Sequence, residues 1–152
     1  MRVKDIMTTD AKRCTLEMNL AAATKIMWEG DCGAVPVTDD RGKVLGMITD
    51  RDICIAAATR ARAEGEILVR DVLSQPVRTC RPDEDISDVL ATMRTQKVRR
   101  LPVVDREGRL AGIVSLHDVA AHARRSAIPA EEIVEAFLQI TTPATAAVPL
   151  PA

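Results

Sequence analysis

The sequence predicts a mixed α/β (α+β) fold: two β-α-β-β-α units packed about a pseudo-twofold axis into one globular module, with a further helix after them. Three observations predict this. The chain repeats itself with a period of 66 residues, each copy alternates β-branched runs with helical apolar spacing, and an apolar stripe beyond Arg125 has no counterpart in the first copy.

A shift of 66 positions lays "VKDIM" from Val3 on "VRDVL" from Val69, Cys14 on Cys80 and Pro36 on Pro102, without a gap. It also lays "VPVTDDRGKVLGMITDRDI" from Val35 on "LPVVDREGRLAGIVSLHDV" from Leu101. Chance rarely keeps proline, aspartate and two glycines in step over such a length.

The elements follow in order. Each copy opens with a short extended segment around Cys14 or Cys80. A helix comes next: Asp85 suits the N-cap, and Ile86, Val89, Leu90 and Met93 recur at helical spacing. In the first copy Leu20, Ala23 and Met27 do the same, ending near Gly30. The strands "AVPV" and "RLPVV" lead through the turns "DDRG" and "DREG" into "KVLGMI" and "RLAGIV", which reads as a hairpin. A closing helix begins at "TDRD" or "SLHD".

The stretch "TRARAEGEIL" is polar, charged and glycine-containing, so it reads as a linker. The expected division is a first repeat over 1–58, the linker over 59–68, a second repeat over 69–125, and a helix with tail over 126–152. Copies of about 55 residues are close to the lower limit for independent stability. The two sheets are therefore expected to pack against each other, leaving related clefts between the repeats. In "PAEEIVEAFLQIT", Pro129 and two acids start a helix on which Ile133, Ala136, Phe137 and Ile140 share a face. That face suits docking on its own domain, with a partner protein as the alternative. The tail "TTPATAAVPLPA" has the composition of a disordered or partner-ordered end.

Composition narrows the function. At 47% hydrophobic and 28% charged the chain reads as an ordinary globular protein, and with only Trp28 and Phe137 as aromatics its core must be aliphatic. A net charge of -1 and so few rings give no footprint for nucleic acid. No apolar run approaches the roughly 20 residues that span a bilayer, and "MRVKDIM" has no secretory pattern, so a cytoplasmic protein is expected. Cys14, Cys32, Cys54 and Cys80 show no ligand-like spacing and read as small buried apolar groups. A redox or metal role, with the equivalent Cys14 and Cys80 brought together, is the alternative. His117 and His122 do not share a helical face. No nucleophile beside a patterned histidine and carboxylate, no P-loop and no dinucleotide fingerprint point to an enzyme.

Two stretches can carry ligand chemistry: Thr49-x-x-Asp52 and Ser115-x-x-Asp118. A hydroxyl at the N-cap with an acid three residues on is a capping box. The same carboxylate can accept from both hydroxyls of a ribose, and the helix start suits a phosphate.

Two tandem units of this kind, each with an apolar-Gly-x-x-[ST]-x-x-Asp signature, resemble a CBS-domain pair, or Bateman module, over about Val3 to Ala123. In length and tail the chain is similar to stand-alone bacterial CBS-pair proteins, including the hypoxic-response-protein type. The resemblance implies a non-enzymatic regulatory module for adenosyl ligands such as AMP, ADP, ATP or S-adenosylmethionine, held as regulatory ligands rather than obligatory cofactors. It also implies a homodimer of pairs, with output through a partner protein or the oligomer; the residue spacing, for its part, suggests no metal site. Carried over by position, Asp52 and Thr49 would face Arg99 and Arg100, with His117 nearby and Arg51 offsetting Asp50. Ser115 and Asp118 would face Gly33 and Ala34, which offer no charge. A phosphate needs a cation, so the Asp52 cleft is the expected nucleotide site. Ala34, Val35 and Pro36, with Thr15, would form the adenine slot. The alternative is an interaction scaffold with vestigial clefts.

Overall fold

A computed structural model describes residues 1–125 and 128–142, so nearly all of the C-terminal tail lies outside the described residues. The first repeat comprises β1 (Cys14–Thr15), α1 (Leu20–Glu29), β2 (Ala34–Thr38), β3 (Val44–Thr49) and α2 (Asp50–Thr59). The second comprises α3 (Ile86–Gln96), β4 (Arg100–Val104), β5 (Leu110–Ser115) and α4 (Leu116–Ala121), and α5 (Ala130–Thr141) follows. β2 and β3 pair antiparallel, with β1 parallel to β2 through Cys14 and Val37. β4 and β5 pair in the same register, and the second copy's opening strand shrinks to one parallel bridge, Cys80 to Val103.

Local chemistry explains the helix ends. Asp85 caps α3, its Oδ1 accepting from the backbone N–H of Ser87 at 3.1 Å and from the Ser87 hydroxyl at 2.9 Å. These bonds hold the Asp85 carboxyl below its ordinary pKa. Asn19 caps α1 by accepting from the N–H of Ala22 at 2.9 Å, and Gly30 ends it. In the hairpin turns Gly42 and Gly108 have φ of +81° and +80°, which only glycine adopts without strain.

The pseudo-twofold axis passes between the two hairpin turns. Val44 N–H donates to Gly108 O at 3.1 Å and Leu110 N–H donates to Gly42 O at 2.9 Å, each bond the image of the other under the 66-residue shift. Lys43 bridges to its own image, Arg109.

Each repeat has its own aliphatic core, but the opening segments are exchanged. The 3-10 turn Val3–Asp5 packs on the second repeat: Val3 N–H donates to Glu84 O at 3.0 Å, and Val3 and Ile6 join Ile86, Val89 and Leu90 in that core. Its image, the 3-10 turn Val69–Asp71, packs on the first repeat: Val69 N–H donates to Met18 O at 2.8 Å. Ile67, in the stretch expected as a linker, is fully buried with Val69 among Leu20, Val37 and Ile48.

The exchange explains the signature glycines. Thr8 and Ile113 exchange two backbone hydrogen bonds of 2.9 Å, and Ser74 lies beside Met47 in the same way. A Cβ on Gly112 would stand 2.5 Å from Thr8 O, and one on Gly46 would stand 2.4 Å from Leu73 Cδ1. These glycines leave room for the segment arriving from the other repeat.

α5 packs chiefly on α3 and also on α4. Ile133, Ala136 and Ile140 enter the second core, but Phe137, expected on the same face, is 51% exposed. The helices lie on one side of α5, so the buried stripe is too narrow to include it.

Thr38 is 1% exposed and its hydroxyl is the buried side-chain polar atom without a hydrogen-bond partner among the described residues. The image of Thr38 in the second repeat is Val104. Replacing Thr38 with valine removes an unsatisfied group at nearly constant volume, and is expected to raise the unfolding free energy by about 1 kcal/mol in a urea titration. A loss of stability would show that the hydroxyl has a partner.

Candidate functional site

Two equivalent carboxylates anchor the site. At the start of α2, Asp52 Oδ2 accepts from the Thr49 N–H at 2.9 Å and from its hydroxyl at 2.8 Å, while Asp52 N–H donates to Thr49 Oγ1 at 3.1 Å. At the start of α4, Asp118 Oδ2 accepts from the Ser115 N–H at 2.7 Å and its hydroxyl at 2.6 Å. The return bond from Asp118 N–H to Ser115 Oγ is 3.3 Å. Both stretches are thus complete capping boxes. The box uses one oxygen of each carboxylate. Among the described residues, Oδ1 of Asp52 and Oδ1 of Asp118 accept no hydrogen bond, so each can accept one from outside the protein.

The strand register sets what surrounds these helix starts. Ala34 lies opposite Thr49, and Arg100 opposite Ser115. Gly33 O accepts from Asp50 N–H at 3.0 Å, and in the second repeat Arg99 O accepts from Leu116 N–H at 2.8 Å. Arg99 and Arg100 therefore line a cavity of about 450 Å³ with Ser115, His117 and, from α5, Phe137. Its walls come from the second repeat and α5. Among the described residues neither Arg99 nor Arg100 forms an ion pair, and the same holds for exposed Arg51. Asp50 accepts from Arg51 N–H at 2.7 Å and faces a groove between α1 and α2.

The remaining expected residues are spread along the first sheet. Val35 is 1% exposed with its side chain in the first core, so it can offer a ligand only backbone groups. Ala34 and Pro36 are also buried in β2. Thr15 pairs with Thr38 at the far end of β2 from Ala34, a separation of roughly 13 Å along the strand. Phe137 was missed as a cavity wall because its position depends on where α5 docks, for which the repeat offers no template.

The cysteines separate. Cys14 lies in the first core and Cys80 in the second, each thiol pointing to the carbonyl of Pro36 or Pro102 at 3.9 Å. Burial pushes the Cys14 thiol up to about 11; burial and then the charge of Glu84 push Cys80 up to about 12. Both thus lie buried as the small apolar groups the sequence suggests, and the alternative that pseudo-symmetry brings them together within one chain is not met: they sit in different cores. Among the described residues no group of three or more His, Cys, Asp and Glu side chains could hold a metal ion. Among the same residues, no helix is long and apolar enough to cross a membrane.

The doubled fold and doubled capping boxes have a counterpart among known families. The family model for the CBS domain matches twice, over residues 3–58 and 69–125. The chain belongs to the CBS-domain family. This CBS pair is 31% identical over 140 residues to hypoxic response protein 1 of Mycobacterium tuberculosis, covering 92% of this chain and 94% of that one. The crystal structure of hypoxic response protein I with two coordinated zinc ions superposes with a TM-score of 0.74 at 30% identity, covering 80% of this chain and 98% of that one. The CBS-domain pair of protein MJ0100, in complex with 5'-methylthioadenosine and S-adenosyl-L-methionine, superposes with a TM-score of 0.71 at 28% identity, covering 82% and 97%. An uncharacterised protein of Methanopyrus kandleri, MK0525, is 34% identical over 93 residues, which are 61% of this CBS pair and 47% of that protein.

Proposed function

We propose that this CBS pair is a non-enzymatic cytoplasmic regulatory module that binds an adenosyl ligand and passes the binding event on through a partner protein or its own homodimer. The observation that carries the reading is the second oxygen on each capping-box carboxylate, which accepts no hydrogen bond among the described residues. The box fixes Asp52 and Asp118 in place, and the remaining oxygen can accept from a ribose hydroxyl without unmaking the helix start. Arg99 and Arg100, which form no ion pair among the described residues, supply the charge for a phosphate. The MJ0100 pair, which carries adenosyl compounds, supports the same ligand class.

Isothermal titration with AMP, ADP, ATP, S-adenosylmethionine and 5'-methylthioadenosine tests this. At least one is expected to bind, and Asp52→Asn or Asp118→Asn identifies the carboxylate concerned by a loss of about tenfold or more. Arg99→Ala with Arg100→Ala is expected to weaken AMP by a similar factor and leave 5'-methylthioadenosine unchanged. The absence of heat with all five compounds, and no response to either aspartate change, would overturn the proposal. A second reading, an interaction module with vestigial clefts, is favoured by the half-exposed Val134, Phe137 and Leu138 on α5. Partner binding through that face, indifferent to nucleotide, would support it.

A further inference from the structure

The cavity of about 450 Å³ has two sources. Arg99, Arg100, Ser115 and His117 come from the entry to β4 and the junction of β5 with α4, whereas Val134 and Phe137 come from α5. α5 lies beyond the second family match, which ends at residue 125, and has no image in the first repeat. It rests chiefly on α3, and its polar contacts lie on that side as well. Arg94 Nε donates to Gln139 Oε1 at 2.8 Å, and Lys97 Nζ donates to Thr142 O at 3.4 Å. Toward α4 the packing is sparser, and the cavity is the space left there.

The two walls differ in chemistry. Arg99 and Arg100 form no ion pair among the described residues, so one wall presents cations that an anion can engage. The other presents Phe137, one of only two aromatic side chains in the chain. Phe137 does not join the second core, and it stays half exposed on the cavity wall. Ala34, Val35 and Pro36, expected to flank adenine, are buried in β2, so the ring of Phe137 is the aromatic surface beside the arginines. A molecule that spans the cavity carries an anion at one end and a flat apolar ring at the other.

We infer that Phe137 is a ligand-binding residue, the surface on which the base of an adenine nucleotide stacks while Arg99 and Arg100 hold its phosphate, and that this contact clamps α5 against α4. The identity of the ligand rests on the adenosyl reading above; the clamp rests on the two-sided cavity. A ligand that touches both walls binds the docked helix better than the undocked one, and by linkage it holds α5 down by the same factor. α5 also carries the half-exposed Leu138, so a change in how firmly the helix is held is a change at the surface.

AMP and ribose 5-phosphate, which share everything but the base, test the contact by isothermal titration on the full chain. AMP is expected to bind at least about fivefold more tightly, as stacking of one base on an aromatic side chain allows. Phe137→Ser is expected to remove that preference while leaving ribose 5-phosphate unchanged. Phe137→Leu, which keeps apolar bulk on α5, serves the same purpose should the serine variant not fold. Hydrogen exchange reads the clamp: AMP at ten times its Kd is expected to slow the amides of α5 by about tenfold in the unaltered chain and not in the Phe137 variants. Equal preference for AMP in the unaltered chain and its variants, or exchange in α5 indifferent to AMP, would overturn the inference. Phenyl phosphate, an anion with a ring and no ribose, separates this outcome from failure of the adenosyl reading. Should no adenosyl compound bind, slowing of α5 by phenyl phosphate that is lost in Phe137→Ser and in Arg99→Ala with Arg100→Ala would uphold the clamp. No slowing by either probe would overturn it.

Discussion

Replacing Gly112 with alanine is expected to destabilise the second repeat by about 3 kcal/mol, the upper end of what a forced methyl costs in a packed interior. The added Cβ would stand 2.5 Å from Thr8 O and 3.3 Å from Met7 Sδ. Thr8 O cannot retreat, because it accepts from Ile113 N–H at 2.9 Å while Thr8 N–H donates back to Ile113 O at the same distance. The image substitution, Gly46→Ala, meets Leu73 Cδ1 at 2.4 Å and Ser74 O at 3.0 Å. Its nearest obstacle is the end of a flexible side chain that can rotate away, so its cost should be nearer about 1 kcal/mol. Neither glycine has a positive φ, which makes this a steric effect rather than a conformational one. Urea titrations of both variants check the ordering. Equal costs would mean that the crossing segment near Thr8 yields as easily as Leu73 does.

Deleting everything after Arg125 should have a larger effect still. The deletion removes Ile133, Ala136 and Ile140 from the second core and uncovers apolar surface on α3 that they pack against. Two buried isoleucines at about 2 kcal/mol each already give roughly 4 kcal/mol, a large share of the 5–15 kcal/mol that typically holds a domain folded. The shortened chain is expected to lose the cooperative melting of its second repeat and to bind a dye specific for exposed apolar surface. A melt unchanged in midpoint would show that α5 contributes little to the core. Loss of partner binding on this deletion would therefore not identify the helix as the binding element. Serine at Val134, Phe137 and Leu138 changes the outward face of α5 while leaving its buried stripe in place.

The elements were readable from the sequence because their signals are local. Asp85 as a cap, Gly30 as a terminus and the buried set Ile86, Val89, Leu90 and Met93 each depend on residues within a few positions of one another. The doubled "VPV" and "LPV" strands fixed the hairpins for the same reason. What could not be read was which repeat a segment joins. Val3 and Val69 occupy equivalent places, and periodicity cannot tell whether Val3 meets Glu84 or its own copy. The polar content of 59–68 likewise concealed Ile67, whose burial comes from its place in the first core with Leu20, Val37 and Ile48 rather than from its sequence neighbours. In the candidate site, the capping boxes were legible as a hydroxyl and an acid three residues apart. The placement of Arg99 and Arg100 beside Ser115 and His117 was not, since it follows from the strand register and the docking of α5.

The exchanged opening segments put the sequence period and the folding period out of phase. Every member of the first core lies within residues 14–73, so that core closes from one continuous run of chain. The second core takes Val3 and Ile6 from one end of the described chain and Ile140 from near the other. The described chain is in effect a ring of two related arcs, opened inside the second, which also carries α5. Joining the ends and reopening the chain between Ser74 and Val77 would make both arcs continuous, with the first serving as the template on which the second assembles.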